Sequence, residues 1–198
     1  MSSILLIVLD VITRAEISRL AAHDSTLAIS DAVGSLAGAR AALERRLPDL
    51  IVADLRLPDG PLVNLLEELR PRRSHVLALT PTLRDPHLMH TLRHGADGYA
   101  LADRIGPDLL TLMRRMLAGE SPMDAGVAQR LTMQLGTSAQ LLTDDELQLL
   151  HAIGSGHPMT DVTRSAQMTP QQIGLTLRSI YRKLHRDLGP RPVPPNAA

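Results

Sequence analysis

The chain has 198 residues and a formal net charge of zero at pH 7, and 44% of its residues are hydrophobic. The absence of cysteine excludes disulfides and thiolate metal sites. Phe and Trp are also absent, so Tyr99 and Tyr181 offer little surface for stacking on single-stranded nucleic acid. We expect a cytoplasmic protein with no membrane contact, because Ile4–Leu9 is too short for a signal peptide and no 18-residue apolar run occurs.

Residues 1–118 alternate short apolar runs with amphipathic segments. The apolar runs predict buried strands at Ile4–Leu9, Thr26–Ser30, Leu50–Ala53, His75–Thr80 and Gly98–Leu101. The amphipathic segments predict helices around Thr13–His23, Gly34–Arg46, Pro61–Arg70, Arg84–His94 and Ile105–Leu117. Continuously apolar strands that alternate with helices indicate a parallel sheet covered on both faces. We therefore predict an α/β, flavodoxin-like (βα)5 doubly wound domain at 1–118.

A connector follows this domain, and its pattern predicts a linker with one helix at 119–140. Gly119–Pro122 interrupts the strand–helix alternation. Asp124–Leu135 has the period of a single linker helix, and Gly136–Gln140 has the composition of a flexible, polar hinge.

Residues 141–188 have the pattern of a small all-α domain. Three helical segments occur at about 143–154, 158–166 and 169–184. Thr169 and Pro170 give the third segment a strong start signal, a capping residue followed by proline at the first helical position. The tail at 189–198 contains four prolines, and we expect it to be disordered.

Asp54 has the clearest chemical implication of any residue in the first domain. It follows the short apolar run Ile51–Ala53, which predicts a strand end, and Leu57–Gly60 then turns the chain away. In an open α/β sheet, the carboxyl ends of the strands are where ligands bind. A carboxylate there can accept a phosphoryl group or hold a cation. Alternatively, Asp54 is only a turn residue, since Asp is common beside Pro and Gly.

Motifs along most of the chain match those of one protein family. DLRLPDG at 54–60 contains Asp54, HVLALT ends at Thr80, and GADGYAL contains Tyr99. In the second domain, LTDDELQLL at 142–150 and the end of the third helix at 180–184 also match. The chain therefore resembles the NarL/FixJ class of response regulators, in which a receiver domain precedes a LuxR-type helix-turn-helix. The resemblance extends to about residue 188 and implies a regulator that is not an enzyme.

The resemblance also implies a role for each matching receiver residue. Asp54 corresponds to the phosphoacceptor, and Thr80 to the hydroxyl residue that binds the phosphoryl oxygen. Tyr99 corresponds to the aromatic switch that turns inward when Thr80 moves. Asp10 and Asp54 correspond to two of the carboxylates that hold Mg²⁺.

The receiver motif is incomplete at two positions. The family has two adjacent acids after the first strand, whereas this chain has Leu9 and then Asp10. The family's lysine falls at Ala102, and the single lysine of the chain is Lys183 in the second domain. A cation about 4 Å from a phosphoryl oxygen contributes up to roughly 4 kcal/mol at an effective dielectric of 20. We therefore predict a degenerate receiver that acts independently of aspartyl phosphorylation.

This prediction leaves two features open. No cofactor is required, although a weakened Mg²⁺ site at Asp10 and Asp54 would be compatible with the residues present. Conventional phosphorelay through Asp54 would need Mg²⁺ and a replacement cation, for which Arg56 and Arg104 are the candidates.

The third helix of the second domain has the features of a DNA recognition helix. Between Thr169 and His185 it has three cations and no acid, although residues 140–198 contain six basic and five acidic side chains, a net charge of only plus one. Cations hold phosphates, and neutral polar side chains can read bases. The predicted DNA-binding residues are Gln171, Gln172, Thr176, Arg178, Arg182 and Lys183.

The recognition motif is incomplete as well. The lysine and histidine of the family pattern are replaced by Gly174 and Thr176, and glycine inside a helix costs about 1 kcal/mol relative to alanine. The prolines beyond residue 189 prevent the fourth helix that commonly supports dimerisation in the family.

The first functional hypothesis is a bacterial transcription regulator that binds double-stranded promoter DNA as a homodimer. Its receiver would offer a dimer or partner surface near Arg84–Arg115. The second hypothesis is a protein-interaction regulator that has lost direct DNA binding and acts through another regulator.

In more modest interpretations, Thr80 only caps its own loop and Tyr99 is a packing residue whose hydroxyl is satisfied by water.

Overall fold

The computed structural model describes residues 1–69, 74–102 and 105–187. Its strands are β1 (Ser2–Ile7), β2 (Leu27–Val33), β3 (Leu50–Asp54), β4 (Arg56–Leu57), β5 (Gly60–Pro61), β6 (His75–Thr80) and β7 (Gly98–Leu101). Its helices are α1 (Val11–Ala22), α2 (Leu36–Arg45), α3 (Leu62–Leu69), α4 (Pro86–His94), α5 (Pro107–Leu117), α6 (Ala125–Gln134), α7 (Asp144–Gly154), α8 (Met159–Ala166) and α9 (Pro170–Asp187). Within the described ranges, every helix is too short or too polar to cross a lipid bilayer. The predicted tail at 189–198 lies outside the described residues.

Five strands form a parallel sheet in the order β2-β1-β3-β6-β7, and β4 pairs with β5 in a separate two-stranded hairpin. This order is that of flavodoxin-like, doubly wound folds. Helices α1 and α5 cover one face of the sheet, whereas α2, α3 and α4 cover the other. The predicted fold class is therefore confirmed.

The continuous apolar runs follow from this two-sided cover. In β1, Ile4 and Leu6 belong to the core under α1 and α5, whereas Leu5 and Ile7 belong to the core under α2 to α4. Because successive side chains of a strand point to opposite faces, a strand buried on both faces has no polar alternation.

The C-terminal helices share a core with the second face of the sheet. Val127 of α6, Leu150 of α7 and Ile180 of α9 belong to the same buried cluster as α2, α3 and α4. The predicted linker helix is present as α6, with Asp124 as its N-cap. The segment predicted as a polar hinge is instead a 3₁₀ helix at Gly136–Leu141, and Ala139 packs against the shared core.

A buried carboxylate joins the first and third helices of the C-terminal domain. Glu146 accepts hydrogen bonds from the Thr143 backbone N–H at 2.8 Å, from the Ser179 hydroxyl at 3.0 Å and from Lys183 Nζ at 2.6 Å. Burial acts to raise the pKa of Glu146, but these hydrogen bonds outweigh it and lower the pKa. Glu146 therefore closes the capping box of α7 and anchors α9 at the same time.

We predict that Glu146→Ala destabilises the protein by about 3 kcal/mol. The variant loses the reciprocal cap of α7 and leaves Lys183 without its carboxylate. Denaturant unfolding measures the change, with the exposed Asp145→Ala on the same helical turn as a control expected to stay within about 0.5 kcal/mol of wild type.

The pH dependence of the conservative Glu146→Gln variant tests the assignment further. An acid whose pKa is lowered in the fold stabilises it above the unfolded pKa of about 4.3, and that stabilisation is lost as the pH falls through the folded-state pKa. The deficit of Glu146→Gln should therefore shrink on acidification. A deficit that is equal at neutral and acidic pH would contradict the role given to the carboxylate.

Candidate functional site

The sheet register brings three of the predicted receiver residues to one edge. Ile7 of β1 is opposite Ala53 of β3, and Asp54 is opposite Leu79 of β6. The residues after Ile7, together with Asp54 and Thr80, therefore lie at the carboxyl ends of three adjacent strands. This is the edge at which doubly wound folds bind ligands.

Asp54 is partly buried at this edge, and its carboxylate is already bonded. Its Oδ2 accepts a hydrogen bond from the Leu9 backbone N–H at 2.7 Å. Burial raises the pKa of Asp54, and the neighbouring Asp10 raises it further. The Leu9 hydrogen bond and the charge of Arg14 act in the opposite direction without reversing the increase.

Asp10 serves as the N-cap of α1. Its exposed carboxylate accepts a hydrogen bond from the Thr13 backbone N–H at 2.7 Å, and bonding by Thr13 lowers the pKa of Asp10. The Leu9 side chain, at the position of the family's other acid, is 53% exposed and offers no oxygen.

These donors fit Mg²⁺ poorly. The ion binds carboxylate oxygens together with water in a near-octahedral arrangement. Asp54 and Asp10 each use one carboxylate oxygen for a backbone N–H, at Leu9 and Thr13 respectively. The weak Mg²⁺ site at Asp10 and Asp54 stays a prediction.

Arg14 is a component of this edge that the sequence motifs did not identify. Its Nη1 donates to the backbone carbonyls of Val8 and Leu9, the latter at 2.9 Å. A Cβ atom on Gly34 would lie 2.7 Å from the same Nη1, so glycine at position 34 leaves room for the guanidinium. Arg14 thus places a fixed positive charge at the end of β1. Its position on α1 belongs to no receiver motif, and the closeness of Gly34 is visible only in the fold.

The two predicted switch residues have hydrogen-bond partners away from Asp54. Thr80 is fully buried, and its hydroxyl donates to the Thr82 carbonyl at 2.8 Å, which is the loop-capping interpretation. The buried Tyr99 hydroxyl accepts a hydrogen bond from the Asp124 backbone N–H at 3.1 Å, so the connector supplies a partner for it. Burial raises the pKa of Tyr99, which keeps the phenol neutral. Their role as a switch pair stays a prediction.

Arg56, one of the two cations proposed as replacements for the receiver lysine, is paired away from Asp54. Arg56 Nη2 is 2.8 Å from Oδ2 of Asp85, whose carboxylate is almost fully buried. Arg104 lies outside the described residues. Arg56 therefore anchors the loop before α4, because Asp85 also caps that helix.

The predicted DNA-binding residues all lie on α9, and four of them have partners within the chain. Gln172 forms a reciprocal cap with Thr169, at 2.8 and 3.1 Å. Thr176 donates to the Gln172 carbonyl at 2.9 Å, and Lys183 bonds Glu146 as described above. Gln171 and Arg182 have exposed side chains.

Arg178 contacts the receiver domain directly. Its Nη1 lies 3.2 Å from Nε2 of His75, the first residue of β6. Burial lowers the pKa of His75, as does the positive charge of Arg178, so the neutral imidazole can accept this hydrogen bond. Arg178 is therefore held at the amino end of the sheet in this conformation.

Further contacts hold α9 against the connector and α4. The Ser121 backbone N–H donates to the Gly174 carbonyl at 3.0 Å, and the fully buried Tyr181 donates its hydroxyl to the Pro122 carbonyl at 3.2 Å. Near the end of α9, His185 Nε2 lies 2.8 Å from the Leu92 carbonyl of α4. One face of the predicted recognition helix is thus covered.

The close approach of α9 to the connector explains the glycine at position 174 of the recognition helix. A Cβ atom at Gly174 would lie 2.8 Å from Cβ of Glu120, which is closer than real Cβ contacts occur. The lysine of the family pattern is therefore incompatible with the close approach of α9 to the connector seen here.

The same contacts bear on the surface predicted for a dimer or partner near Arg84–Arg115. In this conformation α4, within that range, packs against α6 and α9. That part of the predicted surface is covered within the chain, because α9 lies on it.

Comparison with known proteins finds related regulators. No protein-family model matches the chain. The DNA-binding transcriptional activator DevR/DosR of Mycobacterium tuberculosis is 32% identical over 155 residues, which cover 74% of this chain and 71% of that protein. The nitrate/nitrite response regulator protein NarL of Escherichia coli is 25% identical over 146 residues, covering 69% of this chain and 68% of NarL.

Solved structures of response regulators have the same fold. RcsB from Salmonella enterica serovar Typhimurium, bound to a promoter, superposes with a TM-score of 0.58 at 15% identity, covering 93% of this chain and 92% of that one. A two-component response regulator of the LuxR family from an Aurantimonas species gives a TM-score of 0.60 at 21% identity, covering 68% of this chain and 97% of that one.

We predict that Asp54→Asn stabilises the protein at neutral pH. A carboxyl group whose pKa is raised by folding stabilises the folded state below the unfolded pKa of about 3.9. This stabilisation is lost as the pH rises through the folded-state pKa. At pH 7 the ionised Asp54 therefore weakens folding, whereas asparagine stays neutral and keeps an acceptor for Leu9. Thermal unfolding should show a higher midpoint for the variant at pH 7 and a vanishing difference near about pH 3.

Asp59→Asn is the matched control, and its effect should have the opposite sign. The backbone N–H groups of Leu36 and Ala37 donate to Asp59 and lower its pKa, so this carboxylate stabilises the fold above its unfolded pKa. An Asp54→Asn variant less stable than wild type at pH 7 would show that ionised Asp54 is favourable in the fold.

Proposed function

Because the chain belongs to the NarL-type response regulators of the LuxR family, we propose that it is a DNA-binding transcription regulator whose α9 recognises promoter DNA. The M. tuberculosis relative is a DNA-binding transcriptional activator, and the RcsB neighbour is bound to a promoter. The observation that carries the proposal is α9 itself, which begins with a reciprocal cap and exposes Gln171 and Arg182. Glutamine can read adenine, and arginine can hold a phosphate.

DNA recognition by α9 requires its release from the receiver. A recognition helix enters the major groove with its N-terminal part and uses cations beside it to hold the backbone. In the described conformation Arg178 is bonded to His75, and the first half of α9 faces the connector at Ser121. The closed arrangement is therefore a resting state, and DNA and the receiver compete for one helix.

We further propose that release does not depend on phosphorylation of Asp54. Three features support this. The Asp54 carboxylate accepts a hydrogen bond from the Leu9 backbone N–H, and the Thr80 hydroxyl donates within its own loop. At the position of the family's lysine, this chain has Ala102. Phosphoryl transfer depends on electrostatic stabilisation around the acceptor, which these features leave weak. Protein concentration or a bound molecule would then control the regulator.

We propose that the DNA-bound form is a homodimer. Structures of RcsB include dimers bound to DNA. Opening of the chain would uncover α4, which then becomes available within the predicted surface near Arg84–Arg115. A partner regulator could use the same surface.

A protein-interaction regulator without direct DNA binding is the second candidate. The observation in its favour is that Gln172, Thr176, Arg178 and Lys183 all have hydrogen-bond partners within the chain. The two candidates differ in whether the opened chain binds DNA with sequence preference.

Two substitutions at Gly174 test the proposal. Gly174→Ala places a Cβ against Glu120, and strain of about 1.4 kcal/mol in the closed form would raise promoter affinity about tenfold. Gly174→Lys opens the contact and also adds a cation, which should steepen the dependence of log K on log salt by about 0.9. Promoter fragments are first selected from genomic DNA by the purified, never-phosphorylated wild type, and affinities are then measured across salt.

Leu175→Lys is the matched control, because Leu175 is exposed and already has a Cβ. It should steepen the salt dependence without the tenfold gain. Addition of a small phosphodonor with Mg²⁺ should leave every affinity unchanged. Weak, sequence-blind binding by all variants would instead favour the protein-interaction regulator.

A further inference from the structure

A cavity of about 800 Å³ lies where the receiver, the connector and the C-terminal domain meet. The receiver contributes β7 and α5, the connector contributes residues 120–124, and the C-terminal domain contributes the beginnings of α8 and α9. This volume is within the range of cavities that bind small molecules. The receiver edge at Asp54 does not take part in it, whereas Gln171 of the exposed face of α9 is one of its lining residues.

Buried apolar side chains from all three parts line the cavity. They are Tyr99 and Leu109 from the receiver, Met123 from the connector, and Ile173 and Leu177 from α9. A ligand with an apolar body would gain about 25 cal/mol for each Å² of apolar surface that it removes from water.

The charged lining residues limit which ligand can enter. Among the residues that the structure describes, three acids, Asp108, Glu120 and Asp124, line the cavity with one cation, Arg115. Arg115 Nε is already 2.8 Å from Glu120 Oε2, so its charge is offset within the lining. The formal balance of minus two among these described residues disfavours anions such as phosphates and carboxylates, and it accommodates uncharged or cationic molecules.

An unsatisfied hydroxyl supplies an independent observation. Ser121 lines the cavity and is 1% exposed, and its Oγ is the buried side-chain atom without a hydrogen-bond partner among the described residues. Leaving a buried polar group unsatisfied costs about 1–3 kcal/mol, so such groups ordinarily have a partner. A ligand with a hydrogen-bonding group would supply one here.

We propose that this cavity binds a small, uncharged or cationic molecule with an apolar body and a hydrogen-bonding group for Ser121. Because the lining comes from both domains, the bound molecule stabilises the closed conformation and retains α9 on the receiver. This second part rests on the proposed function, since it makes the molecule an antagonist of DNA binding. Linkage requires that DNA lower the affinity for the molecule by the same factor.

The experiment uses two dyes with the full-length protein. Nile red is uncharged and apolar, and anilinonaphthalene sulfonate is an apolar anion of similar size. Nile red should bind with one-to-one stoichiometry and raise the unfolding midpoint, and the anionic dye should bind at least tenfold more weakly. Nile red is excited directly, so that a tryptophan added to this tryptophan-free chain does not contribute to the signal.

Cavity-filling variants locate the bound dye. Leu112→Trp fills the cavity from α5 and should weaken Nile red binding at least tenfold, whereas Thr111→Trp, at an exposed neighbouring position outside the lining, should not change it. Met159→Trp fills the cavity from α8 at a side chain that is 42% exposed, and it replaces Leu112→Trp if circular dichroism shows that variant to be unfolded. Equal Nile red binding by wild type and a folded filled variant would overturn the proposal.

Two further measurements separate the parts of the proposal. Ser121→Ala should weaken Nile red binding. The unligated variant should be at least as stable as wild type, because an unsatisfied hydroxyl is removed. An unchanged Nile red affinity would overturn the role of Ser121. Saturating Nile red should reduce promoter affinity in wild type but not in Leu112→Trp. Cavity binding without any effect on DNA affinity would overturn the antagonism, whereas failure of the wild type to bind DNA at all would count against the proposed function alone.

Discussion

The packing of α9 against the connector and α4 joins the two domains, and most of the other features follow from it. Tyr181 is fully buried with its hydroxyl on the Pro122 carbonyl, and Ile180 belongs to the core that also covers one face of the sheet. The contact is close enough that position 174 must lack a side chain. Gly174, which departs from the family's recognition motif, is therefore required by the closed conformation. The free-energy cost of glycine in a helix is offset by burial of the helix face.

Hydrogen bonds hold the receiver edge at Asp54 together without the second acid or the lysine of the family pattern. Arg14 donates to two carbonyls at the end of β1, and the Leu9 N–H donates to Asp54, so the edge is held together without the missing acid or lysine. Burial raises the pKa of Asp54, which means that the ionised carboxylate is retained at some cost in stability. The Tyr99 hydroxyl accepts a hydrogen bond from the backbone N–H of Asp124 and so links the receiver to the start of α6.

Local patterns predicted the elements of the fold, because strand burial on two faces and helix caps leave signals within a few residues. The positions of Asp54 and Thr80 followed from strand ends, and Thr169–Pro170 indicated the start of α9 correctly. Contacts between residues distant in sequence were not predictable in this way. The partners of Arg178, Lys183 and Tyr99 depend on how the domains pack, and no periodicity encodes that. Arg14 was missed because a guanidinium that bonds backbone carbonyls has no sequence motif.

A reversible crosslink across the closed contact tests the central claim most directly. The chain has no cysteine, so Glu120→Cys with Gly174→Cys introduces a single pair. The two Cβ atoms would lie about 2.8 Å apart in the closed conformation. A shift of about 1 Å would bring them to disulfide geometry. Specific promoter binding is measured with the disulfide formed and again after reduction. We predict that the oxidised protein loses specific binding and that reduction restores it. Equal promoter affinity in both states would contradict the claim that α9 must leave the receiver to recognise DNA.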